Sequence, residues 1–148
     1  MKSLRKFEEF VRTGIVNKRS PDFNRARSLV NEAENRKRFL DEMVEKMGIT
    51  DKNANYFIEN SYDILIELIR AKMLLDGFHA SGKGAHEAEV SYTRLIGLNE
   101  TETRFINDLR FFRNGILYYG KDFDSNYAKK VLKFVNNIFP VLRKSLKK

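Results

Sequence analysis

The sequence predicts an all-α fold: an up-and-down antiparallel bundle of four core helices with an N-terminal helical extension and short accessory helices. Three observations carry this. Apolar residues recur at steps of three, four and seven along most of the chain. No segment alternates apolar and polar residues with the two-residue period of a half-buried strand. Helix start and stop signals separate the periodic segments, and short connections between long helices imply antiparallel neighbours. At 148 residues the chain is most simply one domain, large enough to bury a core without staples.

The elements follow in order. From Met1 to about Val16, Leu4, Phe7, Phe10 and Val11 stand at helical spacing. Ser20-Pro21-Asp22 starts a second helix, because Ser caps and Pro is tolerated in a first turn. Its apolar positions are Ala26, Val30, Ala33, Leu40, Val44 and Met47, and Gly48 stops it. These two helices form an extension over about 1–48. Thr50 or Asp51 caps the third helix, whose apolar residues, from Phe57 to Leu75, cover much of its circumference, so it is the central and most buried one. The segment from Asp76 to Glu89 reads as a glycine-rich loop, followed by a shorter helix through Val90, Tyr92 and Leu95 to Gly97. Asn99 or Thr101 caps the next helix, which sets Phe105, Leu109, Phe112 and Ile116 on one face. Asp124 or Ser125 begins the last, with Val131, Phe134, Val135, Ile138 and Leu142 inward, and Pro140 is expected to kink or end it.

Composition removes several function classes. Without cysteine there is no disulfide framework, no Cys-ligated zinc and no thiol nucleophile. The N-terminal MKSLRKFEEFVRTG has no apolar core of a signal peptide. The greasiest run, ILIELIRAKMLL, is interrupted by Glu67, Arg70 and Lys72 and is too short for a membrane span. A cytoplasmic protein without membrane association is expected. The net charge of +8 is concentrated at one end: residues 125–148 hold seven basic residues (Lys129, Lys130, Lys133, Arg143, Lys144, Lys147 and Lys148) and no acidic one. Such asymmetry suits a polyanion such as RNA; it equally suits a solubilising tail whose lysines complement a helix dipole. His79 and His86, with Asp76, Glu87 and Glu89 nearby, match no zinc spacing and read as surface-loop histidines, so no metal and no cofactor are expected. The SGKGA within the loop lacks the length and preceding strand of a P-loop.

The functional information sits in RFFRNGILYYG, from Arg110 to Gly120. Arg113 falls at the edge of the inward stripe, beside apolar packing, and needs a carboxylate, carbonyls or a bound phosphate as partner. Asn114 and Tyr118 occupy the outward side of the same turn. At about 100° per residue, Arg113 and Tyr118 lie about 140° apart on a regular helix, so they converge only if the helix ends or distorts. Gly115 and Gly120 are both candidate stops.

Arg-Asn-x-x-x-Tyr-Tyr-Gly late in an all-helical chain of this size resembles the HEPN domain, a small bundle of prokaryotes and higher eukaryotes linked to nucleotide binding. The family's hallmark is an arginine, a polar residue, then a histidine four to six positions after the arginine, near the end of the penultimate helix. Arg113 and Asn114 match the first two, and the resemblance covers about residues 50–145. Tyr118 stands at the histidine position, and no histidine follows His86. In active members the resemblance implies an Arg–His pair, assembled across a homodimer, that promotes attack of an RNA 2′-hydroxyl on its phosphate without metal. A tyrosine, with an ordinary pKa of about 10, is a poor base at neutrality. The expected protein is therefore a nucleotide- or RNA-binding module, catalytically weak or inactive. Arg110, Arg113, Asn114, Tyr118 and Tyr119 form its ligand site, with Tyr119 able to stack a base. The resemblance further implies a homodimer and a minimal nucleotidyltransferase as protein partner in a toxin–antitoxin-type system. Two alternatives stand beside it: a metal-independent endoribonuclease using Arg113 and Tyr118, and a structural dimerising bundle.

Overall fold

The computed structural model describes residues 3–147, with the side chains of Leu117 and Tyr118 outside the described residues. Its architecture is all-α with one very small sheet. The central helix, α3 (Ala54–Leu75), has few polar positions and buries side chains on every side, among them Ile58, Ile64, Leu65, Leu68, Ile69 and Met73. Around it pack α2 (Phe23–Met47), α4 (Ala85–Tyr92), α5 (Glu100–Tyr119) and α6 (Ser125–Ser145).

The fully buried residues of α2, Ala26, Ala33 and Leu40, are spaced by seven. This is a narrow seam of the kind two antiparallel helices share, and its two alanines let the backbones approach closely. Asp22 caps α2 by accepting from the Arg25 N–H at 3.0 Å, a role expected of Ser20. α3 starts three residues later than a Thr50 cap predicts and two later than an Asp51 cap. Thr50 and Asn53 exchange hydrogen bonds in the turn before it instead. Asn99 caps α5 in a reciprocal box with Glu102, and Asp124 caps α6 through the Tyr127 N–H.

Three expectations are corrected. The first helix does not reach Val16: α1 covers Phe7–Arg12, and Val16–Lys18 form β1, antiparallel to β2 at Phe78–Ala80. Three-residue strands are too short to show alternation, and their partners lie far apart in sequence. Below the ribbon, the Arg19 N–H donates to the Gly77 carbonyl at 2.7 Å. Gly77 has φ +84°, and a Cβ there would stand 2.6 Å from the Arg19 oxygen, so only glycine permits this contact. Second, the segment read as a loop ends early. α4 begins at Ala85, and His86, Glu87 and Glu89 are helical, while His79 lies on β2. Third, Pro140 does not end α6, which continues to Ser145. Pro140 and Asn136, whose carbonyl loses its donor, are both exposed, where water can satisfy that group.

The inner face of α5 is turned slightly from the expected stripe. Ile106 and Leu109 are fully buried, while Phe105 and Ile116 pack from its flank. Phe105 stacks on Phe134 of α6 at 4.2 Å, and Phe112 meets Phe123 and Tyr127. α5 runs on through Gly115 and stops at Gly120, whose left-handed φ of +62° lets its N–H return to the Gly115 carbonyl.

Candidate functional site

Inside the most apolar helix, Asp63, Glu67 and Arg70 follow at steps of four and three, which puts them on one face. Three neighbouring helices supply their partners. Arg113 of α5 places Nε 3.1 Å from Asp63 Oδ1. Arg36 of α2 places Nε 3.0 Å from Glu67 Oε1. Arg70 donates through Nε at 2.5 Å and Nη2 at 3.1 Å to the two oxygens of Glu89 on α4. One turn back along α4, His86 Nδ1 lies 3.1 Å from Glu89 Oε1. Tyr62 closes the floor, with the Arg113 guanidinium 5.8 Å from the centre of its ring.

These groups surround a cleft of about 220 Å³ lined by Arg36, Tyr62, Asp63, Ile66, Glu67, Arg70, His86 and Arg113. Three guanidinium groups and two carboxylates line it, and the third carboxylate, Glu89, stands behind Arg70 and His86. The hydrogen bonds of the cleft are incomplete. Among the described residues, four buried side-chain polar atoms lack a hydrogen-bond partner: Arg36 Nε, Tyr62 Oη, Glu67 Oε1 and Arg113 Nε. All four belong to residues of this cleft. Arg36 and Arg113 stand at ion-pair distance from their carboxylates, but neither Nε–H is aimed well enough to make a hydrogen bond.

The surroundings set the protonation of these groups. Burial pushes the Tyr62 hydroxyl well above its ordinary range, so it stays a neutral donor at physiological pH. Burial also raises Glu67, against the opposing pull of Arg36. Glu89 is only 2% exposed, and burial alone would raise it. Hydrogen bonds from His86 and Arg70 outweigh that cost and hold it below the usual carboxylate range.

Of the five residues expected at the site, Arg113 lies in this cleft. Its anticipated need for a partner is met by Asp63. Arg110 lines a neighbouring cavity of about 540 Å³ with Arg5, Glu87, Asn107 and Phe111. There its Nε donates to Asn107 at 3.1 Å and its guanidinium covers the Phe111 ring. Asn114 is half-buried beside Arg113. Tyr119 is 81% exposed at the helix end. The Tyr118 side chain lies outside the described residues, and α5 is continuous through Gly115.

Arg36, Tyr62, Asp63, Glu67, Arg70, His86 and Glu89 were not picked out from sequence as site residues. Two signals pointed to them: charged residues at steps of four and three inside an otherwise apolar helix, and a histidine three residues before a glutamate. Among the described residues no group of three or more potential metal-ligating side chains is present, and no helix is long and apolar enough to cross a membrane. Comparison of the chain with family models, with curated proteins and with solved structures found no match.

Proposed function

We propose that the cleft between α2, α3, α4 and α5 binds a phosphate-bearing ligand, RNA or a nucleotide, in a HEPN-like recognition module. The supporting observation is the convergence of all four partnerless buried polar atoms on one cleft. Buried polar groups in native proteins are nearly always satisfied. Arg36 Nε, Glu67 Oε1 and Arg113 Nε each stand at ion-pair distance from a partner, so the Tyr62 hydroxyl is the group in this set that a ligand acceptor would complete. Phosphate suits this set. It accepts hydrogen bonds from guanidinium groups and from a neutral phenol, and Arg113 and Tyr62 supply both. Asp63 holds the Arg113 guanidinium by its Nε side, so the terminal nitrogens remain for a two-point contact with phosphate oxygens. Asn114 and Tyr119 extend the surface on the same helix, Tyr119 as a base-stacking platform; the Tyr118 side chain, also expected at the site, lies outside the described residues. The same reading carries a homodimer through α5, a minimal nucleotidyltransferase as protein partner, and a cytoplasmic setting.

Fluorescence anisotropy with a labelled single-stranded RNA, over a salt titration and with ATP as competitor, tests it. Wild type should bind with salt-dependent affinity. Arg113→Ala should weaken binding by about tenfold or more and lower the salt slope by about one. Undiminished affinity in Arg113→Ala and Tyr62→Phe, with only a lower melting temperature, would make the network purely structural.

A further inference from the structure

Arg70 and His86 also line a second pocket, of about 310 Å³, whose other residues lie outside the cleft of Arg113. To it α2 contributes Arg25, β2 contributes His79, and the SGKGA segment contributes Ser81, Gly82 and Ala85. Met73, Leu74 and Phe78 give it an apolar wall. The two histidines and the glycine turn, which fit neither a zinc site nor a P-loop, thus meet in one place. Their charges are unevenly committed. Arg70 and His86 Nδ1 are both engaged by Glu89, the only carboxylate among the lining residues. Among the described residues, neither the Arg25 guanidinium nor the His79 ring has a hydrogen-bond or ion-pair partner, and Arg25 meets Asp22 through its main-chain N–H alone. The surface around the pocket is basic. Residues 15–31 hold the exposed Lys18, Arg19, Arg25 and Arg27 against one acid, Asp22, which is occupied in capping α2.

We propose that this pocket binds a small organic phosphate monoester, with Arg25 and His79 as the anchors of its terminal phosphate. The site is independent of the Arg113 cleft. A concave, partly apolar wall with a few convergent polar groups is the usual form of a small-ligand site. The Arg25 guanidinium can give two parallel hydrogen bonds to phosphate oxygens. The His79 ring donates one N–H in either neutral tautomer. His86, held at Nδ1 by Glu89, donates through its other nitrogen once the ring is protonated, which a bound dianion favours. A phosphate monoester has three terminal oxygens, so it can take donors from α2, β2 and α4 together. A carboxylate offers only two, in one plane. A monoester also ends at its phosphate, so the charged group can enter the pocket, whereas a diester must lead chain out on both sides. The organic part of the ester lies against Met73, Leu74 and Phe78.

Calorimetric titration of the full chain with phenyl phosphate, inorganic phosphate, benzoate and dimethyl phosphate tests this, with the histidine ring signals followed by NMR. Phenyl phosphate should bind more tightly than inorganic phosphate and shift the His79 signals. Benzoate and dimethyl phosphate should bind about tenfold more weakly or less, each lacking a charge-assisted hydrogen bond. Arg25→Gln should weaken phenyl phosphate by about tenfold or more with an unchanged melting temperature, because the Arg25 side chain is exposed. His79→Ala should weaken it as well, and Arg104→Gln on α5 should bind as wild type does. Loss of binding in Arg113→Ala with Arg25→Gln unaffected would seat the phosphate in the Arg113 cleft and overturn this inference in favour of that site. Benzoate or dimethyl phosphate binding as tightly as phenyl phosphate would overturn the assignment to a monoester. Absence of phenyl phosphate binding by wild type removes the pocket as a site and leaves the RNA test of the Arg113 cleft untouched.

Discussion

Glu67 in the cleft and Glu89 behind its Arg70 and His86 respond to acid in opposite directions. Glu89 titrates below the usual carboxylate range when folded, so its contribution to stability is complete above its unfolded value and is lost as pH falls through its folded one. Glu67 is raised by burial, so its contribution is complete at low pH and is lost as pH rises through its folded value. Acidification therefore removes stability through Glu89 and returns some through Glu67. In denaturant titrations from about pH 6 to about pH 3, Glu67→Gln should lose stability more steeply than wild type, and Glu89→Gln less steeply. The reverse order would show that the two carboxylates have been assigned the wrong environments. At this scale the sequence placed Arg113 at the rim of the core and required a partner for it, but could not say which. Asp63 lies fifty residues earlier on another helix, and Arg70 and Glu89 meet across a turn that only folding closes. Local periodicity carries no information about such pairs.

At the scale of elements, the first turn of α3 holds the connection between α5 and α6. Asn55 donates to the Lys121 carbonyl at 2.7 Å and accepts from the Phe123 N–H at 2.9 Å, and Asp51 accepts from the Ser125 N–H at 2.8 Å. Asn55→Ala strands a donor and an acceptor of the main chain at once. It should cost about 1–3 kcal/mol in urea denaturation, with Asn55→Asp intermediate because it keeps the acceptor. An unchanged midpoint in Asn55→Ala would mean that water replaces both bonds. This connection also fixes where α5 ends, and with it the orientation of Arg113 and Asn114. The six α-helices of the described residues follow from periodicity and caps, because each signal is confined to one turn of chain. The short helix after the glycine loop was placed one turn late, since Ala85 to Glu89 lacks an apolar stripe. Pro140 does not end α6, where the carbonyl it frees at Asn136 is open to water.

For the whole molecule, charge and exposed aromatic surface mark different faces. On α6, Lys129, Lys130, Lys133, Lys144 and Lys147 are exposed, while Arg143 is drawn to Glu34 of α2 at 3.5 Å. Lys148, counted in that basic excess, lies outside the described residues. On α5, Phe111 and Tyr119 are exposed large apolar side chains. Under the homodimer proposed above, a contact through α5 would cover them. Light scattering at micromolar concentration should then report about twice the chain mass of 17.4 kDa, and Phe111→Asp should return it to one. A wild-type monomer would remove the assembly through α5 and leave the cleft as a single-chain site.

The ribbon of β1 and β2 also sets an order of events in time. Val16 and Ala80 are sixty-four residues apart, and closing so long a loop in an open chain costs on the order of 4 kcal/mol. The α2–α3 hairpin lies wholly inside that loop, and the Asp22 N–H donating to the Leu74 carbonyl at 3.1 Å ties its two ends together. Once the hairpin exists, pairing can propagate like a zipper from Arg19 and Gly77 outward to Ile15 and Ser81, with little further entropy to lose. The same path run backwards opens the ribbon before the hairpin yields. In native-state hydrogen exchange, the Arg19 and Ser81 amides should exchange through a partial opening, markedly faster than those of Leu65 and Ile69, which should follow global unfolding. Equal rates at all four positions would mean that ribbon and hairpin melt together. Because α4 follows β2 after a four-residue turn, this opening would release the chain just before the helix that carries His86 and Glu89, while α4 itself stays packed on α3 and α5.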